Sequence, residues 1–474
     1  MVKKIYTYFL KENRFIGLYV FILISFFQIN NIDAQQNLIK IDSIVIEGNK
    51  VTKRKIILKE LDFHEKEEIS LPDFEKSIEQ SKINLLNTGL FNFVNISYTT
   101  NNKKAKVTIN LTEQWYIWPI PFIEHADRNF SSFLHNADWS RINYGLFVEI
   151  DNFRGRKEQL KFKIRGGYKE QYGFMYSKPN LDKEQKHGIT FESSYFRQHE
   201  VAYATGNNIL HYYRNDNEFT QTNIRSTFKY QYRQTLYDFH DIGIQYQNQS
   251  ILDTVAKLNP DYFGFGQNNL QYLNISYSYT NEHRNYIFYP TKGYVFNLAY
   301  LRRIFFNSKN KDINMFSAQF RKYFSLNSRI STGHSLYAKI SDNVFQPYAL
   351  IEGFGYSHYL RAYEYYVIDG YNSILFKNNF RYNILKRKDF KVPVVPWSQF
   401  NKSYLSIYIN AFAEAGYVEN SLKYDMSNTM VNEFLYSAGI GIDFVTYYET
   451  VVRFEYSINH LGESGFFIHM GSGI

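Results

Sequence analysis

The stretch YLSIYINAFAEAGYV (404–418), read with FLYSAGIGIDFVT (434–446) and VVRFEYSIN (451–459), decides the fold. In the first segment Ile407, Ile409, Ala411, Ala413, Ala415 and Tyr417 fall on one side. Tyr408, Asn410, Phe412, Glu414 and Gly416 fall on the other. In the second, Phe434, Tyr436, Ala438, Ile440, Ile442 and Phe444 oppose Ser437, Gly439, Gly441 and Asp443. In the third, Val452, Phe454, Tyr456 and Ile458 oppose Arg453, Glu455, Ser457 and Asn459. A period of two is the period of a strand, whose successive side chains point to opposite faces of a sheet. Aromatic-rich segments of about ten such residues suit strands that cross a membrane with lipid on one side and water on the other.

Working outward, sixteen candidate strands of this kind lie between Trp115 and Ile474, the first at 115–125 and the last at 465–474. The expected class is a membrane all-β protein, a 16-stranded antiparallel transmembrane β-barrel. An even count puts both chain ends on one side. Composition agrees: aromatics are 19% of the 474 residues, with 43 Tyr and 42 Phe, while mean hydropathy is −0.42. A membrane protein that is polar on average must carry its apolar surface in alternation.

The N-terminal 34 residues read as a secretory signal. Lys3, Lys4, Lys11 and Arg14 precede an apolar core from Phe15 to Ile29, and a cut is expected after Ala34. Export follows. The chain has no Cys, which excludes disulfides, a lipidated-Cys anchor and Cys-based metal sites. The net charge of +9 is spread along strands and loops. Anionic lipid is the expected first counterpart of an exported chain, not nucleic acid. The 12 His are scattered, and no G-x-S-x-G, H-E-x-x-H or phosphate-loop motif occurs. No enzyme, cofactor or metal site is expected.

Residues 37–114 have another rhythm. A strand over Ile39–Glu47 is followed by helical stretches at Thr52–Leu61 and Leu71–Thr88, the second stopped by Gly89. Strands at Phe93–Thr99 and Lys106–Thr112 flank a turn at Asn101-Asn102. This β-α-α-β-β order, with IEGNKVT (46–52) and NTGLFNFVNI (87–96), resembles a POTRA domain. Farther on, the longest connection, 343–372, holds Leu360-Arg361-Ala362-Tyr363. It resembles the Val-Arg-Gly-Phe loop motif of the outer-membrane assembly-factor superfamily, the group of BamA, TamA and the two-partner-secretion transporters. DNFRGRKEQLKF (151–162), YPTKGYVFNL (289–298), FAEAGYV (412–418) and AGIGIDF (438–444) resemble other parts of that family, in the right order.

The resemblance implies a domain layout: the signal at 1–34, a periplasmic POTRA-like domain at 37–114 and an outer-membrane barrel at 115–474. It also implies that the 343–372 loop folds into the lumen and that Arg361 and Tyr363 meet the inner wall there. The period-two faces point Glu414, Asp443, Arg453, Glu455, Lys377 and Arg381 inward. Glu414 and Asp443 are the two candidate partners of Arg361. The sequence departs from the family pattern in Ala362 for Gly, Tyr363 for Phe, Glu414 for Asp and Asp443 for a basic residue. The resemblance further implies a client-binding edge at Phe93, Val94, Asn95, Ile96, Ser97 and Tyr98. It implies a seam between first and last strands, weakened by Pro119 and Pro121 and by Gly471 and Gly473. The implied function is insertion of outer-membrane proteins or translocation of polypeptides, with the lipid bilayer, client chains and accessory assembly proteins as partners. A passive outer-membrane channel or surface receptor that kept the fold is the alternative.

Overall fold

The computed structural model describes residues 38–125, 142–306, 308–391, 393, 400, 402–420, 427–446 and 450–471. The expected signal segment, Gly473 and Ile474 lie outside the described residues.

The N-terminal domain runs β1 (Leu38–Glu47), α1 (Arg54–Lys59), β2 (Glu68–Ser70), α2 (Leu71–Asn87), β3 (Phe91–Asn101) and β4 (Lys104–Glu113). The sheet order is β2-β1-β4-β3, with β1 and β4 parallel and the other pairs antiparallel. Helix α2 starts where Ser70 caps the Asp73 N–H, with a proline in its first turn. It ends at Gly89 (φ +71°). Its Phe74, Ile78 and Leu85 pack on Ile41, Ile44, Val107 and Ile109 of the sheet, each large side chain contributing about 1.5–3 kcal/mol. Three details differ from the sequence reading. Helix α1 is shorter, because Lys53 is extended and Thr52 is tied elsewhere. The three-residue β2 has too few residues to show a period. The β3–β4 turn falls one residue later, with both Asn102 (φ 48°) and Lys103 (φ 62°) in the left-handed region that a tight hairpin requires.

Sixteen strands form the second unit. They are β5 (Ile117–His125), β6 (Ile142–Phe153), β7 (Glu158–Gly167), β8 (Lys169–Lys178) and β9 (His187–Gln198), then, beyond a small hairpin of β10 (Glu200–Gly206) and β11 (Ile209–Arg214), β12 (Gln221–Arg233), β13 (Asp238–Ile251) and β14 (Asn269–Glu282). β15 (Gly293–Phe306), β16 (Ile313–Ser325), β17 (Ile330–Ser341), β18 (Asn372–Lys391), β19 (Lys402–Glu419), β20 (Phe434–Thr446), β21 (Val451–Asn459) and β22 (Ser464–Met470) follow. All but β10 and β11 lie in one antiparallel sheet, each paired with its neighbour in sequence, from β5 to β22. Ile409, Ile440, Phe454 and Tyr456 face outward, and Asn410, Glu414, Asp443, Arg453 and Glu455 are buried inside. The interior is polar and the exterior apolar, the inverse of a water-soluble core. Among the described residues no helix is long and apolar enough to cross a membrane.

Between β5 and β22 no ladder is formed among the described residues. Pro119 and Pro121 lie in β5, opposite Val148 and Leu146 of β6. Gly471 falls just after β22, not in it, with φ +132°.

The two ends of the barrel are covered differently. At the far end the β10–β11 hairpin, helix α3 (Asp253–Leu258) and the 342–371 loop share an apolar cluster of Val201, Val255, Phe263, Leu270 and Tyr348. At the near end the N-terminal domain sits on four turns. The Lys53 N–H donates to Gly155 O (2.9 Å), and Asn152 Nδ2 donates to Thr52 Oγ1 (2.8 Å). Gly155 (φ +70°) must be glycine, because a Cβ there would lie 2.0 Å from Val51 O. Both Nη atoms of Arg233 reach the Glu60 carboxylate at 2.7 Å. The Lys59 ammonium donates to Gln185 O, and Asn87 holds the 284–287 turn through Arg284 O and the Ile287 N–H.

β18 and β19 are longer than expected. β17 pairs with β18 only as far as Tyr382, and β18 continues to Lys391, paired with β19 alone. This overhang carries Lys386, Arg387, Lys388 and Lys391. The Arg387 guanidinium lies over the Tyr404 ring (4.1 Å) and the Phe93 ring of β3 (5.7 Å).

Candidate functional site: a loop locked to the inner wall

Period-two alternation in β18, β19, β20 and β21 places Lys377, Asn379 and Arg381, then Asn410, Phe412 and Glu414, then Asp443, then Arg453 and Glu455 on one inner surface. The 342–371 loop brings Arg361 into it. The Arg361 N–H and Nε donate to the two oxygens of Glu414 (2.9 and 2.6 Å). Its Nη1 donates to Glu455 (2.7 Å) and its Nη2 to Asn379 Oδ1 (2.6 Å). The guanidinium plane rests 3.5 Å above the Phe412 ring. The pairs are almost fully buried, with 3% of the Arg361 side chain exposed. Only a planar, multi-donor cation satisfies these partners at once; Lys would not.

Local sequence explains the seat. Gly439 lies opposite Phe412, and a Cβ there would come within 2.5 Å of the Phe412 ring. The glycine in β20 therefore makes room for the platform under Arg361. Ala362 adopts φ +69°, a conformation that strains any residue with a Cβ. Its carbonyl accepts from Asn459 Nδ2 (3.2 Å). The Tyr363 hydroxyl donates to Tyr436 O (3.0 Å) and lies 2.5 Å from His460 Nδ1.

Of the two candidate partners of Arg361, Glu414 makes the contact and Asp443 does not. Asp443 accepts from Arg453 Nε (2.8 Å), Asn410 Nδ2 (2.5 Å) and the Tyr289 hydroxyl (2.6 Å). The reason is axial position: Asp443 pairs with Tyr408 of β19 and Arg453 of β21, whereas Glu414 pairs with Ser437 nearer the far end. Arg453 links the two groups, 3.5 Å from Glu455 as well. Asn379, Phe412, Tyr289 and His460 were not singled out from sequence. Asn379 lies on the inward row between Lys377 and Arg381, so its signal was present. Tyr289 and Pro290 enter from the near-end turn, where Arg381 donates to Pro290 O (2.9 Å), and nothing local marks that contact.

The other sequence-derived site lies in the N-terminal domain. Phe93, Val94, Asn95, Ile96, Ser97 and Tyr98 belong to β3, the outermost strand of its sheet. Val94 is buried in the domain, Tyr98 contacts Phe74 (5.1 Å between ring centres) and Asn95 and Ser97 are exposed.

The fold and this inner-wall loop define a class: an outer-membrane-type barrel with a lumen-inserted loop and a small N-terminal α/β domain. Residues 39–114 match the POTRA family (surface antigen variable number repeat), and residues 152–383 match the Omp85 superfamily domain. The chain belongs to the Omp85 superfamily and carries a POTRA domain. It is similar to BamA from Haemophilus ducreyi lacking POTRA domains 1–3, at 14% identity and TM-score 0.51, over 91% of this chain and 83% of that one. It is similar also to CdiB from Escherichia coli, at 11% identity and TM-score 0.52, over 92% and 76%. At these identities the likeness is one of fold. No curated protein matches the chain significantly in sequence.

Proposed function

We propose that this protein inserts or translocates polypeptides at the bacterial outer membrane, with the POTRA domain in the periplasm. Membership of the superfamily supports the general activity. The observation that carries the specific reading is the seam: β5 and β22 share no ladder among the described residues, and β5 contains two prolines that cannot donate to one. A client adds as a strand along β3, whose outer side has no strand partner among the described residues, and passes to the seam. The Arg361 network keeps β18, β19 and β21, on the β22 side of the seam, rigid while the seam yields. The work is done by binding and strand exchange, without a catalytic group.

The chain has no cysteine, so cysteine pairs introduced across β5 and β22 can be oxidised without side reactions. Oxidation is expected to stop client insertion in reconstituted vesicles, and reduction to restore it. Full activity of the oxidised protein would overturn the seam mechanism. A photo-crosslinker at Ser97 is expected to trap client chains, and trapping at equal yield from exposed Glu79 on α2 would remove β3 from the scheme.

A further inference from the structure

A cavity of about 240 Å3 lies between the inserted loop and the wall, lined in part by Arg321, Ser335, Ser357, Lys377, Glu414 and Arg453. Its wall side is built by register. Arg321 of β16 pairs with Ser335 of β17, and Ser335 pairs with Lys377 of β18. Three successive strands, about 4.8 Å apart, thus present a guanidinium, a hydroxyl and an ammonium at one level. Ser357, His358 and Tyr359 of the loop close the opposite side.

The charges around it do not balance. Arg361 is matched by Glu414 and Glu455, and Arg453 by Asp443. Lys377 has only a share in Glu414, at 3.6 Å. Arg321 makes no ion pair among the described residues. One Nη donates to Gln319 (2.9 Å), and its buried Nε has no hydrogen-bond partner. Four cations thus meet three carboxylates, and the surplus faces the cavity. A buried cation without a counter-charge is costly, and an unsatisfied donor adds to the cost.

We propose that this cavity binds a phosphate group, held by Arg321, Lys377 and Ser335 and covered by the loop. A tetrahedral oxyanion offers acceptors to donors arriving from three strands and a loop, and the guanidinium fork suits two of its oxygens. At about 30 Å3 for each water, the space holds such an anion with a few waters. Its occupancy would add a tie between the loop and β16 and β17, which the Arg361 network does not reach and which the loop already meets at Asp342 and in the His358–Tyr337 stack.

The test uses the full chain in detergent micelles. Inorganic phosphate, compared with chloride at equal ionic strength, is expected to bind saturably by calorimetry and to raise the unfolding midpoint. Arg321→Gln, which breaks no ion pair, is expected to weaken binding about tenfold or more. Should that variant fail to fold, Arg321→Lys keeps the charge and loses the fork, and intermediate affinity is expected. No binding of either inorganic phosphate or a short-chain lipid phosphate up to about 10 mM, a range that covers weak sites, would overturn the proposal, as would wild-type affinity in either variant. A parallel titration with dihexanoyl phosphatidate against dihexanoyl phosphatidylcholine separates the sources. Binding of phosphatidate in place of inorganic phosphate assigns the site to a lipid phosphate, and binding of neither removes it. The proposal does not rest on the transport reading: a silent titration leaves the seam experiment unaffected.

Discussion

The far-end loop and the near-end POTRA domain both close the barrel, by different physics. The loop is held from within, by a buried guanidinium shared among Glu414, Glu455 and Asn379. The domain is held at the rim, by one bidentate ion pair between Glu60 and Arg233 and by scattered hydrogen bonds to turns. Breaking the first leaves the buried Glu414 and Glu455 without their partner. Breaking the second exposes its groups to water, which solvates them. The loop is therefore expected to be the more firmly held of the two closures.

The contrast predicts the sizes of effects. Arg361→Ala strands Glu414 and Glu455 and is expected to cost about 3–5 kcal/mol of barrel stability, measured as a lower urea midpoint for loss of the heat-resistant folded band. A shift below about 1 kcal/mol, the scale of an exposed pair, would make the loop no more firmly held than the domain. Glu60→Gln is expected to weaken domain docking by about 2–3 kcal/mol, the range of hydrogen bonds to charged groups, and to leave the barrel midpoint unchanged. Spin labels at exposed Glu79 and Lys183 would report it as a broadened distance distribution.

The rim contact is also open to pH. Burial works to raise the Glu60 carboxyl, but the Arg233 charge and its hydrogen bonds outweigh that and hold it below the usual range. Docking strength from this pair is full above 4.5, the ordinary value of the released group, and is lost as pH falls through the lower docked value. Burial and then Arg233 push the Lys59 amine down to about 8 from 10.5. Its charging therefore opposes docking below about pH 8, and docking tightens between 8 and 10.5. The same spin labels at pH 7, 8 and 10, in wild type and Lys59→Met, check the sign. A distribution that broadens as pH rises would refute it.

Two smaller changes sharpen the comparison inside the lock. Tyr289→Phe removes one of the three groups that donate to Asp443 and is expected to cost about 1–2 kcal/mol in the same urea experiment, less than Arg361→Ala because no charge is stranded. Ala362→Gly should go the other way, by up to about 1 kcal/mol, because glycine accepts φ +69° without strain. A destabilised Ala362→Gly protein would show that the Ala362 methyl packs for more than the strain it causes.

What could be read from sequence follows from the period of two. Alternation assigns each strand residue to lumen or exterior without three-dimensional knowledge, so the charged rows of β19, β20 and β21 were legible, and so was Asn379. The choice of Glu414 over Asp443 was not, because it depends on how far along the axis each strand is displaced, which no single strand records. The hairpin β10–β11 was hidden for another reason: it lies in a loop and packs on loops, so lipid imposes no pattern on it. Tyr289 acts across 154 positions of sequence, through a turn whose inward fold depends on Arg381 and the POTRA helix.

The overhanging hairpin of β18 and β19 has a metric consequence. Apart from two register shifts, between Asn383 and Leu385 and between Leu385 and Lys388, each residue in it advances about 3.3 Å and reverses the side on which its side chain lies. Arg387 reaches Phe93 only at its present count from the membrane rim. One residue added between Tyr382 and Asn383, in the regular ladder ahead of those shifts, would turn the guanidinium to the opposite face, and two would return it about 6.6 Å beyond its mark. The hairpin is thus a ruler graduated in pairs, and its zero is set against the outermost strand of the POTRA domain.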